Sequence, residues 1–127
     1  MSQKILLVDD SEDMRILLRM LFESEGYEID EANNGKQALA QLTGNSIPDL
    51  IFLDHNMPVM SGPEFVKELE TKFPKIFARV PIVMLTALDT DEAAGVHATE
   101  TVNKSQGVEY LLKLAAKYLK QPIEDYL

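Results

Sequence analysis

Short aliphatic runs alternate with longer segments of helical periodicity along the whole of this 127-residue sequence. A turn or helix-capping residue marks each switch from one pattern to the other. Strands are predicted at residues 5–8, 28–32, 49–54, 81–85 and 99–103. Helices are predicted from the N-cap Ser11 to the stop at Gly26, after the turn at residues 33–35, and over residues 61–72, 89–96 and 108–119. Such alternation favours a parallel sheet with helices on both faces, which is a three-layer α/β fold.

The five predicted strands differ in polarity. Residues 5–8 and 49–54 are apolar runs bounded abruptly by acid, as is typical of strands covered on both faces. Residues 28–32 are polar enough for a short strand near an edge. Residues 99–103 are unusually polar, so this strand is assigned from its place in the alternation rather than from hydrophobicity.

Composition excludes several classes of function. The chain has 21 acidic against 12 basic side chains and a formal net charge of -9. This balance argues against nucleic acid or an anionic membrane as the main ligand, since both require clustered Lys and Arg. The absence of cysteine excludes thiol catalysis, disulfides and Cys-based zinc sites, and the two histidines, His55 and His97, are too few for a His-rich metal site.

The sequence shows neither a targeting segment nor a membrane span. Four apolar residues precede Asp9, far short of a signal-peptide core of about 7 to 15 residues, and no stretch approaches the ~20 apolar residues of a membrane span. We therefore expect a cytoplasmic protein. A chain of this length can bury one ordinary core, so one domain over residues 1–127 is expected, without an output domain.

Polar side chains follow four of the predicted strands at their carboxyl ends, where ligands bind in parallel sheets. They are Asp9 and Asp10, Asp54, Thr86 and Lys104. Each alone has an ordinary structural explanation, such as capping or a solvated charge. Together, three converging carboxylates repel and raise one another's pKa unless a cation joins them. An oxygen-only cluster of this kind suits Mg²⁺ and points to phosphoryl chemistry.

Two other readings of this edge are disfavoured by the loop after the first strand. A flavin- or nucleotide-binding sheet would place Gly, Ser or Thr there to hold phosphate through backbone N–H groups. Residues 9–13 are instead mostly acidic and would repel a bare phosphate. A hydrolase of the aspartyl-phosphate type would need Asp-x-Asp at this point, which Asp9-Asp10-Ser11 does not supply.

In this order, the acidic pair Asp9-Asp10, the segment Asp-x-x-Met-Pro-x-Met-x-Gly at residues 54–62, Thr86-Ala87 and Lys104 resemble the receiver domain of two-component response regulators. The resemblance covers the whole chain, and the chain is similar to the single-domain, chemotaxis-regulator-like kind. It implies a flavodoxin-like, doubly wound (βα)5 fold with strand order 2-1-3-4-5.

The resemblance also implies roles for the acidic residues. Asp54 would be the phosphoacceptor, whose carboxylate attacks phosphorus to give an acyl phosphate. Mg²⁺, or Mn²⁺ in its place, would be held by the side chains of Asp10 and Asp54 and by the backbone carbonyl of Asn56, with Asp9 acting mainly through water.

The remaining site residues include both matches to the family pattern and departures from it. Thr86 and Lys104 would contact the phosphoryl group, and Ala87 would keep its approach open. Ser105 replaces the proline that usually follows the lysine in a cis bond, so a trans bond is expected. Thr101 replaces the usual aromatic switch residue, and the spacing from Thr86 to Lys104 implies a trimmed or displaced fourth helix.

Partners follow from the same resemblance. A histidine kinase or a histidine phosphotransfer protein would donate the phosphoryl group, and the modified surface would change affinity for a protein target whose identity the sequence leaves open. No nucleic acid or membrane is expected to bind, and a monomer or weak dimer is expected.

The chain would be no enzyme beyond self-catalysed phosphoryl acceptance and slow autodephosphorylation. An alternative is a phosphorylation-independent interaction module that retains the acidic residues.

Overall fold

Five parallel strands form the central sheet of the protein in a computed structural model that describes residues 3–44, 46–87 and 96–119. Their order across the sheet is β2-β1-β3-β4-β5, which confirms the expected doubly wound fold and strand order. All five predicted strands are present. They are β1 (Lys4–Val8), β2 (Glu28–Ala32), β3 (Leu50–Asp54), β4 (Ile82–Thr86) and β5 (Glu100–Asn103).

The first and third helices begin where a serine side chain caps their free N–H groups. Ser11 accepts a hydrogen bond from the Met14 N–H at the start of the first helix, and Ser61 forms a capping box at the start of the third. The helices are α1 (Glu12–Ser24), α2 (Gly35–Leu42), α3 (Gly62–Lys72), α4 (Pro74–Arg79) and α5 (Val108–Leu119).

The described helices match the prediction except at two places. The six-residue helix α4 was not predicted, because it is shorter than two turns and leaves no periodicity to detect. Residues 88–95, which contain most of the helix predicted at 89–96, lie outside the described residues. None of the helices in the described ranges is long and apolar enough to cross a membrane.

The core lies in two layers, one on each face of the sheet. Along β1, Ile5 and Leu7 face the layer built with α1 and α5, whereas Leu6 and Val8 face the layer built with α2 and α3. Side chains alternate between the faces of a strand, so an unbroken aliphatic run is what a central strand between two helical layers requires. The three-layer prediction is therefore confirmed.

The polar strand β5 lies at one edge of the sheet, where β4 is its one neighbour among the described strands. Its register places Asn103 opposite Thr86, and the Thr99 hydroxyl accepts a hydrogen bond from the Ile82 N–H at 2.9 Å. Edge strands are partly exposed, which explains how so polar a segment can pair. This pairing brings the end of β5, and with it Lys104, to the same edge as the ends of β1, β3 and β4.

Candidate functional site

Three carboxylates meet at the carboxyl edge of the sheet and form what we call the acidic cluster, Asp9, Asp10 and Asp54. One carboxylate oxygen from each lies within 4.8 Å of the other two. Asp9 and Asp54 are each only 4% exposed, whereas Asp10 is exposed. The predicted convergence of the acids is thus observed, and the cluster combines two buried carboxylates with one that faces solvent.

Lys104 contacts the cluster through Asp54. Its Nζ atom lies 2.9 Å from Oδ1 of Asp54. Lys104 opens a short 3₁₀ turn, residues Lys104–Gln106, which the Asn103 side chain caps by accepting a hydrogen bond from the Ser105 N–H at 2.9 Å. The buried Asp54 therefore has both a direct cationic partner and two further carboxylates close to it.

The electrostatics of Asp9 and Lys104 reflect this crowding. Burial raises the pKa of Asp9, the hydrogen bond from Ser11 opposes the increase, and the negative charge of Asp54 adds to it. Burial alone lowers the pKa of Lys104, but its hydrogen bond to Asp54 and the nearby carboxylates raise this pKa overall. The lysine is therefore held in its charged form, while the buried cluster carries a negative charge that a further cation would neutralise.

The loop that follows Asp54 is shaped by close backbone approach. The Gly62 N–H donates to the carbonyl of His55 at 3.0 Å, and a Cβ at Gly62 would lie 2.5 Å from the Asp54 carbonyl oxygen. Val59 has a positive φ of 69°, a strained conformation for a β-branched residue. Asn56 is exposed in this loop, two residues after Asp54.

The other predicted residues lie at the ends of the neighbouring strands. Thr86 is fully buried at the end of β4, and Ala87 follows it as an exposed residue. Thr101 lies further from this edge, opposite Met84 in the strand register. No cis peptide bond occurs in the described ranges, so the bond from Lys104 to Ser105 is trans, as predicted.

One contact at the cluster was missed from the sequence. The Arg15 guanidinium on α1 donates from Nη1 to the main-chain carbonyl of Asp9. Its Nε atom donates to Glu31 on β2 at 3.1 Å. Neither spacing nor periodicity links these residues, because the contact depends on how α1 packs against β2.

The acidic cluster fits a hard divalent cation. All its ligand atoms are oxygens, which Mg²⁺ and Mn²⁺ prefer, and one exposed carboxylate leaves an open side for water and phosphate oxygens. Burial and, to a smaller extent, the negative charge of Asp54 raise the pKa of Asp9, so a nearby cation would stabilise the ionised carboxylate.

The fold and this edge together define a doubly wound α/β domain with an acidic site for a hard cation. The chain belongs to the response regulator receiver domain family, whose sequence model matches residues 5–116. Receiver domains are the phosphoacceptor switches of two-component regulation rather than classical enzymes, and they interact with histidine kinases. The predicted family is therefore confirmed.

Individual relatives agree with this family. Sporulation initiation phosphotransferase F of Bacillus subtilis is 40% identical over 87 residues, which cover 68% of this chain and 66% of that protein. The structure of the chemotaxis response regulator CheY4 of Vibrio cholerae has a TM-score of 0.82 and 34% identity, covering 93% of this chain and 99% of that one. Response regulator TrrA of Thermotoga maritima, solved in complex with Mg²⁺-BeF, has a TM-score of 0.76 and 36% identity, covering 91% of this chain and 98% of that one.

Curated relatives also extend beyond the matched region. For three of them, the chain spans 66%, 38% and 36% of the relative's own length. The chain therefore belongs to the same family as these relatives, but the activities of the longer proteins are not assigned to it.

Proposed function

We propose that the protein accepts a phosphoryl group on Asp54 from a phosphohistidine donor, in a Mg²⁺-dependent reaction that changes its affinity for a partner protein. One observation carries this proposal. Asp54 is buried at the meeting point of a lysine ammonium 2.9 Å away and two further carboxylates within 4.8 Å. This arrangement can hold a metal and a phosphoryl group against a single carboxylate.

The metal would be held by residues of the acidic cluster and the loop after it. Asp10 and Asp54 would contribute side-chain oxygens and Asn56 its backbone carbonyl, while Asp9 would act through water. Mg²⁺, or Mn²⁺, would offset the negative charge that builds up on the phosphoryl oxygens during transfer. The Mg²⁺-BeF complex of TrrA, a relative with the same fold, supports Mg²⁺ as the metal.

The chain's own residues would carry the transfer. A carboxylate oxygen of Asp54 forms a bond to phosphorus as the bond from phosphorus to the donor imidazole nitrogen breaks, and the electron pair returns to that nitrogen. The Lys104 ammonium would pair first with the Asp54 carboxylate and then with the phosphoryl oxygens. The Thr86 hydroxyl would donate a hydrogen bond to one of these oxygens. The small, exposed Ala87 would leave the approach to this point open.

The donor would be a histidine kinase or a histidine phosphotransfer protein. The output would be altered binding to a protein target, by a monomer or weak dimer in the cytoplasm. Residues 1–127 would act as a single receiver domain. The protein would slowly lose the phosphoryl group through its own hydrolysis. The bound phosphoryl group would bias a two-state equilibrium through contacts that only one state can make.

Phosphoryl transfer can be tested with the purified chain and a small donor. We expect incubation with Mg²⁺ and acetyl phosphate to add a phosphoryl mass that hydroxylamine removes. Asp54→Asn should show no gain, whereas Asp13→Asn, which changes an exposed aspartate of α1, should behave as wild type. Beryllofluoride with Mg²⁺ should shift the amide signals of residues near Thr86 and Lys104 in the same two active proteins.

Two outcomes would contradict the proposal. No modification of the wild type by any small donor or by a histidine kinase would rule out phosphoacceptance. An equal mass gain in Asp54→Asn would place the acceptor elsewhere. A partner protein that binds the wild type and Asp54→Asn equally, with no phosphoryl group on either, would instead support the phosphorylation-independent interaction module.

A further inference from the structure

Arg15 connects three parts of the protein that meet beside the acidic cluster. From α1, its guanidinium donates to the Asp9 main-chain carbonyl through Nη1 and to Oε1 of Glu31 through Nε, the latter at 3.1 Å. Its side chain is only 15% exposed. We infer that Arg15 is a positioning residue for the metal site, holding the loop of Asp9 and Asp10 in the orientation that Mg²⁺ requires; this inference rests on the proposed function.

The loop is held at each polar group of Asp9. The Asp9 N–H donates to the carbonyl of Ala32 at 3.1 Å, and the Asp9 side chain accepts from the Ser11 N–H at 2.9 Å. Arg15 supplies the partner for the carbonyl. Asp9 is buried, so loss of this partner would leave a carbonyl short of a hydrogen bond inside the protein, which the loop can relieve by turning.

The carbonyl of Asp9 matters because of where it lies in the chain. It shares one planar peptide unit with the N–H of Asp10. Holding this carbonyl therefore fixes the plane from which Asp10 projects toward Asp54. Asp10 is exposed, so the backbone that carries it is expected to be the main determinant of its place within 4.8 Å of the other carboxylates.

Arg15 acts through geometry rather than through its charge. What Arg15 contributes is a planar fork whose Nε and Nη1 atoms reach two acceptors at once. A lysine ammonium on a flexible stem keeps the charge but does not reproduce this fork.

Arg19 provides a matched control on the same helix. It pairs with the other carboxylate oxygen of Glu31 at 2.7 Å and donates to the Ile29 carbonyl at 3.4 Å. Both arginines thus join α1 to β2, but Arg15 also contacts Asp9. Substitutions at Arg19 therefore report the structural cost of loosening α1 from β2 without disturbing the loop of the cluster directly.

The test compares Mg²⁺ affinity with folding stability in four variants of the full chain. Arg15→Gln and Arg15→Lys are set against Arg19→Gln and Arg19→Lys. Mg²⁺ titrations are followed by amide shifts, with Mn²⁺ line broadening as a second readout, and urea unfolding is measured without metal. Loss of a residue that orients metal ligands typically costs 10–100-fold in affinity, so Arg15→Gln should raise the Mg²⁺ Kd at least about tenfold.

The Mg²⁺ Kd of a variant should depend on which arginine is replaced and not on how far the replacement destabilises the fold. The increase in log Kd for Arg15→Lys should be more than half of the increase for Arg15→Gln. Both Arg19 variants should keep the Kd within about twofold of the wild-type value, however much they destabilise the fold. If the wild type binds Mg²⁺ and the folded Arg15→Lys and Arg15→Gln variants bind it with the same Kd, this inference is wrong while the proposed function stands. The same holds if the Arg19 variants raise the Kd as much as the Arg15 variants do. Failure of the wild type to bind Mg²⁺ would overturn the proposed function and this inference with it.

Discussion

Replacing Asp9 with asparagine should stabilise the protein when no metal is present. Asp9 is buried, and its ionised side chain lies beside Asp54 and Asp10. Asp9→Asn retains the side-chain oxygen that accepts the hydrogen bond from the Ser11 N–H at 2.9 Å. The substitution therefore removes a charge while leaving shape and hydrogen bonding nearly unchanged.

The size of the effect follows from the separation of the charges. Two unit charges 4.8 Å apart, the upper limit within this cluster, repel by about 3.5 kcal/mol at an effective dielectric of about 20. The positive charge of Lys104 offsets part of this repulsion, and solvent screens the exposed Asp10. We expect a net gain of about 1–2 kcal/mol in the free energy of unfolding, or roughly 3–8 °C in Tm for a domain of this size.

The sign of the pH dependence is also determined. The pKa of Asp9 is raised by burial and by its acidic neighbours, so its ionisation in the folded state costs stability. This cost is fully present above the folded pKa and disappears as the pH falls through the folded pKa to below the unfolded value. The advantage of Asp9→Asn should therefore be largest above the folded pKa and vanish in acid.

Urea unfolding with EDTA, and then with saturating Mg²⁺, measures both effects. A ligand at 100 times its Kd adds about 2.7 kcal/mol to the stability of the protein that binds it, so Mg²⁺ should stabilise the wild type more than Asp9→Asn and remove or reverse the gap. Glu28→Gln removes an exposed charge from β2 and should show neither effect. If Asp9→Asn is no more stable than the wild type without metal, repulsion between the Asp9 carboxylate and its acidic neighbours does not destabilise the protein.

Two further predictions concern the surroundings of Asp54. Gly62→Ala should lower the free energy of unfolding by about 2 kcal/mol, because the added Cβ would lie 2.5 Å from the Asp54 carbonyl oxygen; a loss below about 0.5 kcal/mol in urea would contradict the close approach. The pKa of Lys104 is raised in the folded state, so its stabilising contribution is present below the unfolded pKa of about 10.4 and is lost as the pH rises through the folded value. The stability gap between wild type and Lys104→Met should therefore close in alkali, whereas Lys113→Met on the exposed face of α5 should show no such closure.

Much of the fold was predictable because its signals are local. The aliphatic run of β1 and the acid at the end of β3 mark central strands, and the cap Ser11 marks the start of the first helix to the residue. A signal of this kind involves only a few neighbouring residues. Helix α4 escaped prediction because six residues are too few to show a period.

Site residues at strand ends were predictable for a related reason. Parallel strands bring their carboxyl ends to one edge, so assigning the strands correctly was enough to bring Asp9, Asp10, Asp54 and Lys104 together. Even the weak strand β5 had to lie beside β4 for this to hold, and it does. The contact between Arg15 and Asp9 could not be found in this way, because it depends on the angle and depth at which α1 packs beside the end of β1.

The sequence by itself therefore determined which segments become strands and helices, and which charged side chains reach the same edge of the sheet. Tertiary structure alone decided the distances there: Lys104 at 2.9 Å from Asp54, three carboxylates within 4.8 Å, and a guanidinium holding the Asp9 carbonyl. The physical reason is range. Secondary structure depends on neighbours a few residues apart, whereas the geometry of the site depends on how distant segments pack, and their packing also raises the pKa of Asp9 and of Lys104.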